Sequence, residues 1–408
     1  MTGKMSCNIK CLILSLLFFS ASLSSLYSQK NISGVVNRYA RVTSFGTDYV
    51  IVSDDGPNAG QIAGFEAGDT ILLIQMKGVR TYVAEGVSYG TLEGTVGLPG
   101  RHEFLIVEDV DEPSKRITFR NNISNTSFNT DACLQIVYVP SFNEAVVSTN
   151  LTCEPWDSLK KTGGVLAVIA DRTLTLNDSI IVSGKGFLGG AISPGMGVCI
   201  QADVDKMYKY AYSATTDSAG FKGEGPVSWG YISSSNIPPI YPLFGKGKGF
   251  NFSSGGGGNG RLSGGGGGGN YGGGGTGGQE LGCAPNRPGG LGGLQIKGTF
   301  LATTLKSLLP GSGGGASTYL TGGTPSPGGN GGGVVIIVAD TINGNNYAVL
   351  ADGGSGGKAF GNGGAGGGGG GGSVAIYGQT LLNMTLSARG GKGGDHELLF
   401  GEGGGGGG

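Results

Sequence analysis

The chain has 408 residues, of which 89 are glycine, with 13% charged residues and a net charge of −1 at neutral pH. Glycine therefore stands at about three times its usual share. Near-neutral charge excludes a basic nucleic-acid footprint and an acidic tail, and a hydrophobic content of 38% argues against disorder.

The first element is an export signal. Lys4 and Lys10 precede the apolar run Cys11 to Phe19, and the small and polar residues ASLSSLYSQ follow. This order is that of a secretory signal peptide, residues 1–28, with cleavage after Ser24 or, preferably, after Ser28. A lipid anchor needs a cysteine after the apolar run, whereas Cys7 and Cys11 come before it or at its start. The run is too short to span a bilayer, so no membrane span is expected in the mature chain.

Residues 29–150 read as short strands. YVIVSD, DTILLIQMKG, HEFLIVEDV, RITFR and CLQIVYVP are rich in β-branched and aromatic residues, with turn formers between them. A β-sandwich or small barrel is expected. Four cysteines follow the signal: Cys133, Cys153, Cys199 and Cys283. An oxidising compartment permits two disulfides in any of three pairings, with Cys133–Cys153 and Cys199–Cys283 as the preferred set. No CxxC pair or His-Cys cluster points to zinc, and no cofactor is expected.

From residue 151 to 408 a repeat takes over. The segments Gly163–Gly190, Gly332–Gly357 and Gly371–Gly394 share one plan: Gly-Gly, apolar strand, polar turn, second apolar strand, glycine cluster. Val334 and Val374 are 40 residues apart, as are Phe360 and Phe400. Such a period implies stacked units, here a glycine-rich β-solenoid resembling a parallel β-helix. By that register Gly403 to Gly408 lead toward another strand, so the chain is expected to be truncated at its carboxy terminus. The glycine runs 255–258, 264–269, 272–275 and 366–372 recur beside strands. They are expected to pack as ordered threefold polyglycine helices rather than act as loose linkers.

Between the first and second repeats, about 191–250, lies an aromatic insertion. Tyr208, Tyr210, Tyr212, Trp229, Tyr231 and Tyr241 are the candidate ligand-binding residues, with Phe221 and Phe244 beside them. Rigid rings with polar tips suit a partner surface or a sugar ring, and they serve equally to pin a loop to the solenoid wall.

GDTILLIQMKG, HEFLIVEDV, LQIVYVP and EPWDSLKKTGGVLAVIADRTLTLNDSIIVSGKGFLGG occur in this order from Gly68 to Gly190. This resembles the amino-terminal region of very large secreted surface proteins of Bacteroidota and myxobacteria, some linked to gliding motility, adhesion or the type IX secretion route. Trp156-Asp157 and the Gly-Gly-Val-Leu piece are its most specific part. Cys133 and Cys153 depart from that pattern, and no carboxy-terminal sorting domain is present. The resemblance implies surface display and carries over no catalytic residue.

Catalysis finds little support. Asp171 and Asp340 both follow the first strand of a repeat, in IAD and VAD, a recurrence that fits turn formers. His102 and His396 are the only histidines, and neither suggests a triad. GGKGGDHEL, from Gly390, approaches a calcium nonapeptide but has Glu397 at its apolar position and no tandem copy. The expectation is an exported surface protein, structural or adhesive, not an enzyme. Its expected partners are cell-envelope components or extracellular glycans. The alternatives are a polysaccharide-acting β-helix enzyme, and an envelope matrix component without a ligand.

Overall fold

The computed structural model describes residues 29–53, 62, 64–192, 210, 211, 219–232, 235–237, 245–282, 287–297, 299, 307–396 and 404–408. The chain is essentially all-β. Strand β1 (Lys30–Val35) leaves the amino-terminal region and pairs in parallel far along the chain with β10 (Ser141–Thr152). Between them lies a closed, wholly antiparallel barrel. Its strands are β2 (Tyr39–Phe45), β3 (Tyr49–Val52), β4 (Thr70–Gln75), β7 (His102–Asp111), β8 (Arg116–Phe119) and β9 (Leu134–Val139). A side sheet joins β5 (Val79–Tyr82) and β6 (Leu92–Thr95) to β13 (Val227–Ile232) and β14 (Ser235–Ile237), and β15 (Tyr319–Thr324) pairs antiparallel with β18 (Phe360–Gly363).

The second sheet is parallel. It stacks β10 on β11 (Val165–Leu176), β11 on β16 (Val334–Asn343), and β16 on β19 (Ser373–Tyr377) and β20 (Thr380–Leu382). A second column stacks β12 (Ile180–Ile181), β17 (Ala348–Leu350) and β21 (Thr385–Ser387). The three repeats thus lie in register, Val165 beside Val334 beside Ser373. The boundary set at residue 150 falls inside β10, which belongs to this parallel sheet.

Alternation explains why these strands read as unbroken apolar runs. Strands buried on both faces lose the usual polar positions. In β4, Ile71 and Leu73 fill the barrel, while Leu72 and Ile74 pack with Val165, Ala167, Val334 and Ile336 of the parallel sheet. The opposite faces of β11 and β16 present Leu166, Val168, Val335 and Ile337 to a further core closed by Ile180, Val182 and Val349. Trp156, seated between barrel and sheet, belongs to the shared cluster.

The glycine runs form the third layer. From Gly366 to Gly371, successive N–H groups donate to Gly357, Gly315, Gly405, Gly354, Ser312 and Gly408. Every third residue therefore returns to the same neighbouring segment, as a threefold helix requires. The carbonyls of Gly366 to Gly370 accept in turn from Gly394, Gly329, Gly268, Gly391 and Gly332. Three neighbours accept and three others donate, which is hexagonal packing. Residues 311–316 and 264–269 repeat the arrangement.

At the closest of these contacts only hydrogen fits. A Cβ on Gly367 would lie 2.0 Å from the Gly266 carbonyl oxygen, and one on Gly315 would lie 1.9 Å from that of Gly256. Ordering glycine costs about 0.5–1 kcal/mol per residue more than alanine. A satisfied backbone hydrogen bond returns about 0.5–1.5 kcal/mol, so the bundle holds only when nearly every amide is paired. Side chains fix the register. The Asn270 amide donates to the carbonyls of Leu309, Gly371 and Gly372, Ser253 bonds Ser312, and Ser263 bonds Thr318.

Candidate functional site

Two concavities collect polar side chains. The larger, about 590 Å³, lies where the barrel rim, the Trp156 turn, the glycine bundle and β13 meet. Gln75 builds the rim. Its amide donates to the Ala132 and Lys77 carbonyls and its oxygen accepts the Asn129 N–H, holding the short turn Thr130–Ala132. That turn leaves Cys133 in the left-handed region, φ 59°, at the edge of the cleft. Gln135 exchanges two hydrogen bonds with the backbone of Gly163, tying β9 to the Trp156 turn.

A largely buried ion pair lines the cleft. Lys77 Nζ lies 2.5 Å from Glu224 Oε1. The same oxygen accepts the Trp156 indole N–H at 3.0 Å, and Oε2 accepts the Leu188 N–H at 3.3 Å. Trp156 meets Phe187 edge-to-face at 5.5 Å. Desolvation alone lowers the Lys77 pKa, but Glu224, then Cys133, outweigh it and leave the pKa above its ordinary 10.5. Burial pushes the Cys133 thiol up against the pull of Lys77. The mouth carries Asp131, Lys161 and Leu159, the last 90% exposed.

The smaller groove, about 440 Å³, crosses three stacked strands and is lined by Asp171, Asp340, Tyr377 and Gln379 among others. Both carboxylates are exposed. They sit inside the continuous strands β11 and β16, beside the break in register after the Ala170–Ala339 pair. The expectation that they form turns is therefore corrected, because one bent strand replaces the strand–turn–strand read from the sequence. His102 and His396 each lie against a backbone carbonyl, of Gly100 and Gly361 respectively.

The disulfide expectation is also corrected for Cys133 and Cys153. Both thiols are free and buried, and they belong to different cores on opposite sides of the parallel sheet. Cys199 and Cys283 lie outside the described residues. Burial pushes the Cys153 thiol to about 12, so thiolate is scarce at neutral pH. Iodoacetamide is expected to label neither residue in the native protein and both in denaturant without reductant. A Cys133–Cys153 cross-linked peptide in the mass spectrum would contradict this.

Of the aromatic candidates, Tyr210 packs against Tyr89 with ring centroids 5.9 Å apart, and its carbonyl accepts from Lys222 Nζ at 2.6 Å. Glu85 accepts its N–H at 3.0 Å. Tyr210 is thus pinned to the wall. Lys222 is fully buried, also donates to the Tyr89 hydroxyl, and is held well below the usual lysine range by desolvation, with Glu85 pulling the other way. Trp229 and Tyr231 lie in β13, parallel to β5. Tyr208, Tyr212, Tyr241 and Phe244 fall outside the described residues.

Sequence reasoning missed Gln75, Lys77, Gln135 and Glu224. The signal was present for Glu224 and Lys222, charged side chains set in the glycine-rich stretch AGFKGEGP where no solvated face is needed. Comparison with protein-family models, curated proteins and solved structures finds no match.

Proposed function

We propose that the chain is an exported, surface-displayed structural and adhesive protein. The stacked repeats act as a β-solenoid stiffened by the polyglycine bundle, and the aromatic insertion faces cell-envelope partners or extracellular glycans. The carrying observation is the hexagonal hydrogen-bond network of residues 264–269, 311–316 and 366–371. Such a network holds these segments rigidly while presenting few reactive side chains, which suits a spacer better than a catalyst.

Source cells probed with antibody to residues 29–150, before and after protease shaving, test display. Loss of the signal on shaving is expected, and a shaving-resistant signal in intact cells would overturn it. For binding, the purified chain is expected to retain envelope polysaccharide without consuming it. Trp229→Ala with Tyr231→Ala is expected to lower retention at least tenfold with the circular dichroism spectrum unchanged. Undiminished retention by the double variant would remove the insertion from the binding role.

A second reading has one observation in its favour. Asp171 and Asp340 share a groove with Tyr377 on adjacent strands, a placement that polysaccharide hydrolysis by two carboxyl groups would use. Release of reducing ends by the wild type, lost in Asp171→Asn and Asp340→Asn, would favour that reading over adhesion.

A further inference from the structure

The cleft between the barrel rim and the glycine bundle has the size of a small-molecule site, about 590 Å³ where ~300–1,000 Å³ is usual. Its walls are also fixed in place. Gln75 holds the rim, Gln135 holds the Trp156 turn, and the Gly255 carbonyl accepts the N–H of Gly223 in the glycine segment opposite.

Several polar groups that line it are left unspent by the fold. Lys77, Trp156 and Leu188 fill the oxygens of Glu224, but Glu224 takes only one N–H of the Lys77 ammonium, and among the described residues no other acceptor meets it. The N–H groups of Lys222, Gly223 and Glu224 donate to Gly245, Gly255 and Leu188. That of Gly225, next along the same wall, has no acceptor among the described residues. Ser228 Oγ is enclosed and has no hydrogen-bond partner. Such a hydroxyl is costly to leave unpaired, and a ligand that bonds it removes that cost. At the mouth the Asp131 carboxylate is exposed and accepts no hydrogen bond from the described residues.

Charge narrows the choice of ligand. Lys77 and Lys161 are matched by Asp131 and Glu224, and no other charged residue lines the cleft among those described. An anion or a cation would therefore meet its own sign as well as the opposite one. The apolar part of the wall is Leu188, Phe221 and Val227, each only partly buried, with Lys246 Nζ 4.6 Å from the centre of the Phe221 ring. Unspent donors, one exposed carboxylate and an apolar wall suit a ring with a C–H face and a rim of hydroxyls, since each hydroxyl both donates and accepts.

We infer that the cleft binds the end of an uncharged saccharide chain. The inference rests on the adhesive reading and gives it a ligand class and a place, because Phe221, Gly225 and Ser228 belong to the aromatic insertion and close the site against the barrel rim. Sugar oxygens accept from Lys77, Gly225 and Ser228, neighbouring hydroxyls donate to Asp131, and the C–H face lies on Phe221 and Val227.

Calorimetric titration of the full chain tests this, with cellotetraose, laminaritetraose and mannotetraose as uncharged probes and tetragalacturonate as the acidic one. Saturable one-to-one binding of at least one uncharged probe is expected, with the acidic probe weaker by about tenfold or more. Ser228→Ala and Asp131→Ala should each weaken that binding roughly fivefold or more. Neither side chain is hydrogen-bonded within the described fold, so circular dichroism and denaturant midpoints stay those of the wild type. Undiminished binding by both variants, or equal binding of the acidic probe, would overturn the inference. Polysaccharide retained by the chain without binding of any tetrasaccharide would overturn the cleft and leave the adhesive reading standing. Loss of both would overturn both.

Discussion

Gly367→Ala is expected to destabilise the protein by at least ~3 kcal/mol, near or beyond the upper end of ordinary overpacking. The new methyl group would sit 2.0 Å from the Gly266 carbonyl oxygen and 2.4 Å from its carbonyl carbon. Both are backbone atoms of a segment that is itself enclosed by six neighbours, so neither can yield without moving several helices. Gly406→Ala is the control. Its Cβ has 3.9 Å to the nearest atom, and a change within about 0.5 kcal/mol is expected, as for surface substitutions generally. Guanidinium midpoints of the two variants check the pair. Equal midpoints would mean that the glycine layer is not close-packed in solution.

Glu224→Ala should cost about 3–5 kcal/mol, the range for removing one partner of a buried ion pair. Lys77 would remain as an uncompensated cation, and the Trp156 and Leu188 N–H groups would lose their acceptor. Lys77→Met with Glu224→Leu is expected to recover part of that loss, because no charge is left behind, although the two donors stay unpaired at about 1–3 kcal/mol each. The pH dependence has a definite sign. The Lys77 pKa is raised on folding, so its contribution is complete below 10.5 and is lost as pH rises through the higher folded value. Wild-type denaturant midpoints should therefore fall above about pH 10.5, with a smaller fall in the Lys77→Met, Glu224→Leu pair. A single variant no less stable than the double would show that the pair is not buried.

Local pattern made much of this architecture legible. YVIVSD, DTILLIQMKG, HEFLIVEDV, RITFR and CLQIVYVP became β3, β4, β7, β8 and β9, because two-residue alternation and turn formers act over a few positions. The three glycine-flanked repeats became the stacked strands, since their spacing of apolar runs is itself the register. Pairings between distant segments were not legible. Nothing in KNISGV announces a parallel partner at Ala145 to Thr152, and nothing in VRTY announces one at VSWGY. Two cysteines twenty residues apart looked like a pair, yet one faces each side of a sheet that the sequence does not draw. The cleft went unread for a related reason. Gln75, Lys77, Glu224 and Trp156 come from three layers, and only the closed barrel seated on the parallel sheet brings them together.

The bundle stabilised by amides rather than by side chains also sets how the protein responds to temperature. Unfolding ordinarily raises heat capacity by about 12–15 cal/mol/K per residue, because exposed apolar surface adds to it while exposed polar surface subtracts. Melting the helices at 264–269, 311–316 and 366–371 exposes chiefly peptide groups. Their share of the heat-capacity change is accordingly small or negative, and it offsets what the barrel and the parallel sheet contribute. A small heat-capacity change flattens the stability curve, so the layer whose innermost glycines admit no methyl group is the one least weakened by cold.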